Sequence, residues 1–451
     1  MVRLLLIAPM MALAAIPLYF FLQNPPPLPD LPLDEWWGPL ETKGKTSEAI
    51  KPFKIEFKED MIQDLRRRIN SSRSPPPPLE GVRHEYGFNS NQLQDWLKYW
   101  SQEYDFAERQ KFFNQYEHYK TNIQGLNIHF IHVTPKVPAH VELVPVLMMH
   151  GWPGSVREFY EAIPLLTAYR EGQDFALELI VPSLPGYGFS DAAVRPGLGA
   201  PQAAVVFRNL MHRLGFKRFY VQGGDFGSFI GTSIASLFPE AVLGYHTNMP
   251  SVYTLKTILI HAIGSLYPSL VADENLAERM YPLGKFYSFM LEESGYMHIQ
   301  ATKPDTVGVS VSDSPAGLLA YVFEKFPTAT DRNQKPLTQL FTKEQLIDNL
   351  MCYWSTNSMT TAMRLYIGSW LHIQSPKCAG FITMFSLTVR ASVSIKLMYI
   401  TQKTFPNLVN VTVLETGGHF LALEMPKEFS EDVVRAVTEF RKINKKIKTE
   451  L

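Results

Sequence analysis

The chemistry most sharply indicated in this sequence rests on one aspartate set in small residues, Gly223-Gly224-Asp225-Phe226-Gly227. The run follows an apolar stretch, RFYVQ, and precedes a helical one. Glycines two before and two after the aspartate let a strand turn sharply into a helix without side-chain clash, so the central residue is presented as a nucleophile. The identity of that residue narrows the reaction. An alkylated serine would be an inert ether, whereas an alkylated aspartate is an ester whose acyl carbon belongs to the protein and can be hydrolysed. Epoxides and haloalkanes, attacked at saturated carbon, are the matching substrates. Alone, the same five residues also read as a turn or a helix N-cap. Two further runs give the aspartate a context. His150-Gly151-Trp152-Pro153-Gly154-Ser155 ends an apolar strand, and in this arrangement the backbone N–H groups of Trp152 and Phe226 form an oxyanion hole for the attack of water on the ester. Gly417-Gly418-His419-Phe420 follows VNVTVL, and of 12 histidines His419 is the one placed last in chain order, as the general base that activates water.

Strands and helices must position these residues. QGLNIHFIHV alternates like a strand, and VPVLMM before His150, LELIVPS before Leu184 and RFYVQ before Gly223 are short apolar runs bounded by turn residues. Helical stretches such as VREFYEAIPLLTAY and APQAAVVFRNLMHRLG lie between them. That alternation predicts an α/β chain with a mostly parallel sheet covered by helices. Residues 45–119 read as helical and polar-amphipathic, broken by SRSPPPPLEG, with a β-rich core beginning at Ile123. From about Met249 to Thr361 aromatic- and Met-rich helical segments replace the alternation and read as an inserted cap. NLVNVTVLETGGHF and the amphipathic FSEDVVRAVTEFRKI close the chain.

Bulk properties exclude other classes. With 43 basic and 43 acidic residues in 451, the chain has no electrostatic footprint for nucleic acid. Its 2 cysteines, Cys352 and Cys378, form no CxxC and no cluster with histidine that could hold a metal, and they fit a reducing compartment. No metal or organic cofactor is implied, since every step uses side chains and water. Leu4 to Leu22 carries no charge, and about 20 such residues span a bilayer core. Ala12-Leu13-Ala14 mimics a signal-peptide cleavage site, but the apolar run continues beyond it, which favours an uncleaved anchor. A stiff proline-rich spacer follows. Trp36 and Trp37 then sit either at the lipid headgroups or against the globular domain.

HGWPGS, PGYGFS, GGDFG, ESGYMHIQATKPDTVG and GGHFLALE, with DEWWGP and the amino-terminal anchor, together resemble the microsomal epoxide hydrolase family. The resemblance runs from the anchor to about Tyr366 and resumes near Phe405. Within that family DAAVRPGLGAPQ is most similar to the insect juvenile hormone epoxide hydrolases. It implies an α/β-hydrolase fold with a helical cap and an N-terminal membrane anchor. It also singles out two of 20 tyrosines, Tyr296 and Tyr366, as phenols that hydrogen-bond the epoxide oxygen and protonate the departing alkoxide. Two features depart from the family pattern. Phe226 stands where the family has Trp, which leaves the amide unchanged. The family also orients its histidine with a carboxylate somewhat under thirty residues upstream, but no Asp or Glu occurs between Asp348 and Glu415. Losing such a carboxylate costs roughly 10⁴ in rate in a Ser-His-Asp triad. Alkylation of Asp225 is therefore expected to persist while ester hydrolysis slows.

These readings divide the chain into an anchor (1–23), a proline-rich linker (24–44), an accessory region (45–120), a first core part (121–248), a cap (249–361) and a second core part (362–451). They imply an epoxide hydrolase acting on a small lipophilic epoxide, juvenile hormone or a related or xenobiotic one. It would be held in the endoplasmic reticulum (microsomal) membrane by one pass, with the catalytic domain in the cytosol and membrane lipid as its other partner. Two alternatives remain: a haloalkane dehalogenase-like aspartate enzyme, which needs halide-binding Trp or Asn donors, and a catalytically impaired paralogue that binds lipophilic ligands.

Overall fold

The structure, a computed structural model, describes residues 30–250, 261–271, 277, 281–330, 337–374, 407–412, 414 and 416–450. The expected membrane anchor lies outside the described residues, and no described helix is long and apolar enough to cross a membrane. Trp37 is buried and its backbone N–H donates to Gln124 O at 2.8 Å, while the Trp36 indole abuts Gly125, so both tryptophans pack on the globular domain.

Seven strands form one sheet: β1 (Lys51–Phe53), β2 (His118–Ile123), β3 (Leu126–Val133), β4 (Glu142–Met149), β5 (Phe175–Pro182), β6 (Phe219–Gly223) and β7 (Val242–Thr247). Their order is β1-β2-β3-β5-β4-β6-β7. The pairs β5–β4, β4–β6 and β6–β7 are parallel, and β1–β2, β2–β3 and β3–β5 are antiparallel. Every residue of β5 is buried, as its unbroken apolar run requires of a strand covered on both faces. The antiparallel edge reaches further toward the amino terminus than the sequence indicates. β1 lies inside the region expected to be helical, and β2 begins at His118 rather than Ile123. Three residues of β1 are too few for a periodic signal, and their partners lie more than sixty positions away, Lys51 opposite Lys120.

Helices cover the sheet. In the accessory region α1 (Glu59–Asn70) buries Ile62, Leu65 and Ile69 on one stripe. α2 (Ala162–Thr167) is short because Pro164 cannot continue a helix begun at Val156, where its ring would meet the carbonyl four residues back. The stretch VREFYEAIPLLTAY therefore splits into a 3₁₀ turn, Val156–Phe159, and α2. α3 (Ala200–Arg213) packs on α4 (Phe226–Leu237), which issues directly from β6. After β7 come α5 (Gly295–Thr302), α6 (Pro304–Asp313), α7 (Pro315–Phe323), α8 (Lys343–Trp354) and α9 (Met359–Gln374), with α9 packed on α5, α6 and α3. α10 (Pro426–Glu450) returns against α2 and β7. Val409–Thr412, expected as a strand, has no pairing partner among the described residues, and the preceding 375–406 lies outside them.

Candidate active site

The parallel register of β4 and β6, Met149 opposite Gly223, brings two strand ends side by side, so HGWPGS and GGDFG face each other. A crevice beyond the carboxyl ends of parallel strands, where the connections diverge, is where open α/β sheets place their sites. The turn at β6 is sharp: Asp225 has φ 49° and ψ −124°, a left-handed backbone rare for a residue with a side chain. A Cβ on Gly223 would collide with Gly227 O, and one on Gly227 with Met149 O, which is why both positions need glycine. The Asp225 side chain presses against Gly151, where a Cβ would overlap its own. Trp152 N–H donates to Asp225 Oδ1 at 2.8 Å, and His419 Nε2 stands 3.6 Å from Oδ2. Phe226 is the first residue of α4, and its N–H makes no hydrogen bond among the described residues, so a second donor is available beside the carboxylate. His419 is itself fixed by its N–H donating to Ala329 O at 2.7 Å.

Two helices bring phenols over this group. Tyr296, on α5, stacks on Trp152 with ring centroids 4.9 Å apart, and Tyr366, on α9, stands edge-on to Phe226 at 4.7 Å. The two tyrosines share a hydrogen bond, and their rings are 6.2 Å apart. Burial first, then the nearby Asp225 carboxylate and for Tyr366 also Tyr296, push both phenols well above the ordinary tyrosine range. They are therefore neutral donors. All six expected residues, Asp225, His419, Tyr296, Tyr366, Trp152 and Phe226, thus meet in one aromatic-walled space.

Known proteins place the chain. Residues 50–159 match the "Epoxide hydrolase N terminus" family and residues 144–337 the "alpha/beta hydrolase fold" family. It is 54% identical to the juvenile hormone epoxide hydrolase of Bombyx mori over 100% of both chains. The chain belongs to the epoxide hydrolase family. It is also 42% identical to Epoxide hydrolase 1 of Oryctolagus cuniculus, over 90% of this chain and 93% of that one. Its structure superposes on the crystal structure of the silkworm enzyme with a TM-score of 0.87, covering 92% of this chain and 100% of that one. The Aspergillus niger epoxide hydrolase, 26% identical, gives a TM-score of 0.69 over 88% and 97%. The enzyme thus has an α/β-hydrolase fold and acts as an epoxide hydrolase.

Several residues of the epoxide hydrolase site carry no signal that the sequence alone would raise. His150, conspicuous as the first residue of HGWPGS, is structural. Its Nε2 accepts from Leu184 N–H at 3.3 Å and its Nδ1–H donates to Gly151 O at 3.0 Å, and burial lowers it to about 4. Tyr321, on α7, adds a third phenol beside Trp152, ring centroids 5.9 Å apart. The Lys325 ammonium lies 4.3 Å from the Tyr296 ring centroid. Asp348, the nearest acid upstream of the gap, is committed elsewhere: it is wholly buried, accepting from Arg157 Nε at 2.8 Å, Arg109 Nε at 2.9 Å and Tyr104 OH at 2.8 Å. Two carboxyl groups do border the site, Glu158 on the 3₁₀ turn and Glu424 on the short helix Leu421–Glu424. Glu424 Oε1 accepts from Phe420 N–H at 3.2 Å, which holds the loop beside His419.

Proposed function

We propose that the enzyme opens a lipophilic epoxide through a covalent ester on Asp225. Asp225 Oδ2 attacks the less hindered ring carbon while Tyr296 and Tyr366 donate to the oxygen and then protonate it. Water activated by His419 attacks the ester carbon, and the amides of Trp152 and Phe226 stabilise the oxyanion that forms. The observation that carries this reading is the 3.6 Å approach of His419 Nε2 to an aspartate whose other oxygen is already held at 2.8 Å by the Trp152 amide. A nucleophile, its general base and one oxyanion donor then occupy a single space under two phenols. One turnover in ¹⁸O-labelled water tests it. The diol's new oxygen is expected to come from the carboxylate, with label left on Asp225, and label passing directly into the diol would overturn the covalent route.

Juvenile hormone is the substrate we propose, because relatives of Bombyx mori and Ctenocephalides felis, 54% and 43% identical, bear that substrate in their names. The aromatic walls of the site suit a lipophilic epoxide and would also take xenobiotic epoxides. We further propose that residues 4–22 anchor the chain in the endoplasmic reticulum membrane, where lipophilic epoxides concentrate. Attachment that survives high salt and carbonate washing, and is lost on deleting those residues, checks this. The gap in acids between Asp348 and Glu415 favours hydrolysis as the slower half-reaction. An enzyme that alkylates and never releases diol would instead be the impaired, ligand-binding paralogue.

A further inference from the structure

Three phenols meet the ring of Trp152: Tyr296 at 4.9 Å, Tyr366 at 5.9 Å and Tyr321 at 5.9 Å between centroids. The first two are assigned to the epoxide oxygen in the reading above, and Tyr321 is not. Tyr366 is buried, whereas Tyr296 and Tyr321 keep accessible surface, so these two form the open face of the aromatic wall. Tyr321 projects from α7, and its oxygen accepts from Gln300 Nε2 at 3.1 Å. Among the described residues nothing accepts the proton of Tyr321 itself. Gln300 lies on α5 one turn beyond Tyr296, so the helix that places one phenol also fixes the other. Packing does not account for this pair. Gln300 is wholly buried and its Oε1 has no hydrogen-bond partner, an arrangement that costs folding free energy where an apolar residue of the same size would not. What the amide contributes is orientation. Its N–H occupies a lone pair of the phenol and turns the O–H away from α5, and a hydroxyl that accepts one hydrogen bond donates a stronger one. No unpaired charge accompanies it, because Lys325, beside the Tyr296 ring, is paired with Glu324. An oriented donor with an unspent proton and no ion at hand matches a neutral acceptor on a ligand.

We propose that Tyr321 is a specificity residue of this site, whose O–H binds a carbonyl oxygen carried by the substrate several bonds away from the epoxide ring. A carbonyl fits because it offers lone pairs and has no proton of its own to satisfy. The inference rests on the covalent reading given above and narrows its substrate class. Tyr296 and Tyr366 hold the epoxide oxygen on one side of the Trp152 ring, and Tyr321 holds the carbonyl on another, with the apolar part of the substrate lying against the indole between them. A substrate fixed at two points presents one ring carbon to Asp225 in one orientation, and the spacing between its two oxygens decides whether both contacts form together. A carbonyl too near the epoxide, or too far from it, leaves the Tyr321 proton unused. Because Gln300 and Tyr296 share α5, that spacing is set by one helix and does not depend on a loop.

The test uses the full chain and two matched series of terminal epoxides of increasing carbon length: epoxy ketones, and the epoxyalkanes in which a methylene replaces the carbonyl. The ratio of kcat/KM for each ketone to that for its alkane is measured in the parent and in Tyr321→Phe. In the parent the ratio should pass through a maximum at one length, with the KM of that ketone about 3- to 10-fold below those of its neighbours, the size of one neutral hydrogen bond. In Tyr321→Phe the maximum should vanish. Each ratio is taken within one enzyme, so a general loss of activity on removing the hydroxyl cancels. A Tyr321 that only supports the fold would lower both series together and leave the maximum in place, which overturns the proposal. A flat series in the parent overturns it too, and that measurement needs no variant. Rapid quenching with mass detection of the Asp225 ester keeps the two readings apart. A parent that turns over both series without any such ester removes the covalent reading, whereas ester formation with a flat ratio removes only the role of Tyr321.

Discussion

Replacing Tyr296 by Phe isolates what one phenol contributes to ring opening. The ring stays, so the stacking on Trp152 at 4.9 Å is kept and only the hydroxyl is lost. A hydrogen bond to a charged group contributes about 1.5–3 kcal/mol, and the alkoxide carries full charge only after the ring has opened. At about 1.36 kcal/mol per decade, the alkylation rate should fall between roughly 10-fold and 150-fold. Tyr366→Phe should behave alike, since its ring also remains edge-on to Phe226 at 4.7 Å. The double variant should lose on the order of 10²–10⁴, the range of a positioned general acid, and less than the product of the two single losses, because the phenols share a hydrogen bond and serve one oxygen. Trp152 gives the assay. It stacks on one phenol and its amide binds Asp225, the proposed nucleophile, so stopped-flow fluorescence under single-turnover conditions should follow alkylation. Ester decay, followed by chase, should be nearly unchanged. Both phenols are pushed above their ordinary pKa, so the neutral donor form persists below that value and no loss of alkylation from phenol ionisation should occur up to about pH 10. Single variants that alkylate within about twofold of the parent, or that slow only ester decay, would refute the assignment.

Other perturbations address the support of the site. Gly151→Ala places a methyl on the Asp225 side chain; a shift of about 1 Å in a nucleophile costs on the order of 10²-fold, so kcat/KM should drop by that much with circular dichroism unchanged. Asp348→Asn removes the buried partner of Arg109 and Arg157 and should cost about 3–5 kcal/mol in urea unfolding, with activity per folded molecule largely kept. His150 is lowered by burial from 6.5 to about 4, so the unfolded chain binds a proton that the folded one does not in that interval. Stability is therefore complete above pH 6.5 and falls toward pH 4, by about 3 kcal/mol from this residue. His118 and His129, lowered in the same direction by burial, add to it. Urea midpoints as high at pH 5 as at pH 7 would refute this.

What the sequence made legible follows from the kind of constraint involved. HGWPGS and GGDFG are readable because Gly151, Gly223 and Gly227 sit where no side chain fits, a local demand that is written into residue type. Alternation and apolar runs located β3 to β6 for the same reason. Tyr296 and Tyr366 required a family resemblance, since nothing local separates them from other tyrosines; their position comes from α5 and α9 crossing above Trp152 and Phe226. Glu158 was invisible. In VREFYEAIPLLTAY it reads as the polar face of a helix, and only the break before Pro164 and the packing of the Leu421–Glu424 helix bring it to the border of the site. β1 was hidden by its brevity and by the distance in sequence to β2.

The ionic cluster at Asp348 ties the amino-terminal region to a site that it does not enter. Arg109 reaches Asp348 from that region, Arg157 from the loop after β4, and Asp348 itself projects from α8, beside Asn349, whose side chain binds Pro153 O at 2.7 Å. Tyr353, one turn further along α8, donates to Gly154 O. The HGWPGS loop is thus pinned by α8 on one side and, through Asp348, by the accessory region on the other. An oxyanion donor works only when its N–H cannot relax toward the charge it must meet. The wholly buried carboxylate, costly to desolvate if left alone, is stabilised by two guanidinium groups that belong to different segments. Its contribution is therefore geometric: removal of any one segment strands a buried charge, so the three segments dock together or not at all, and the Trp152 amide is set when they do.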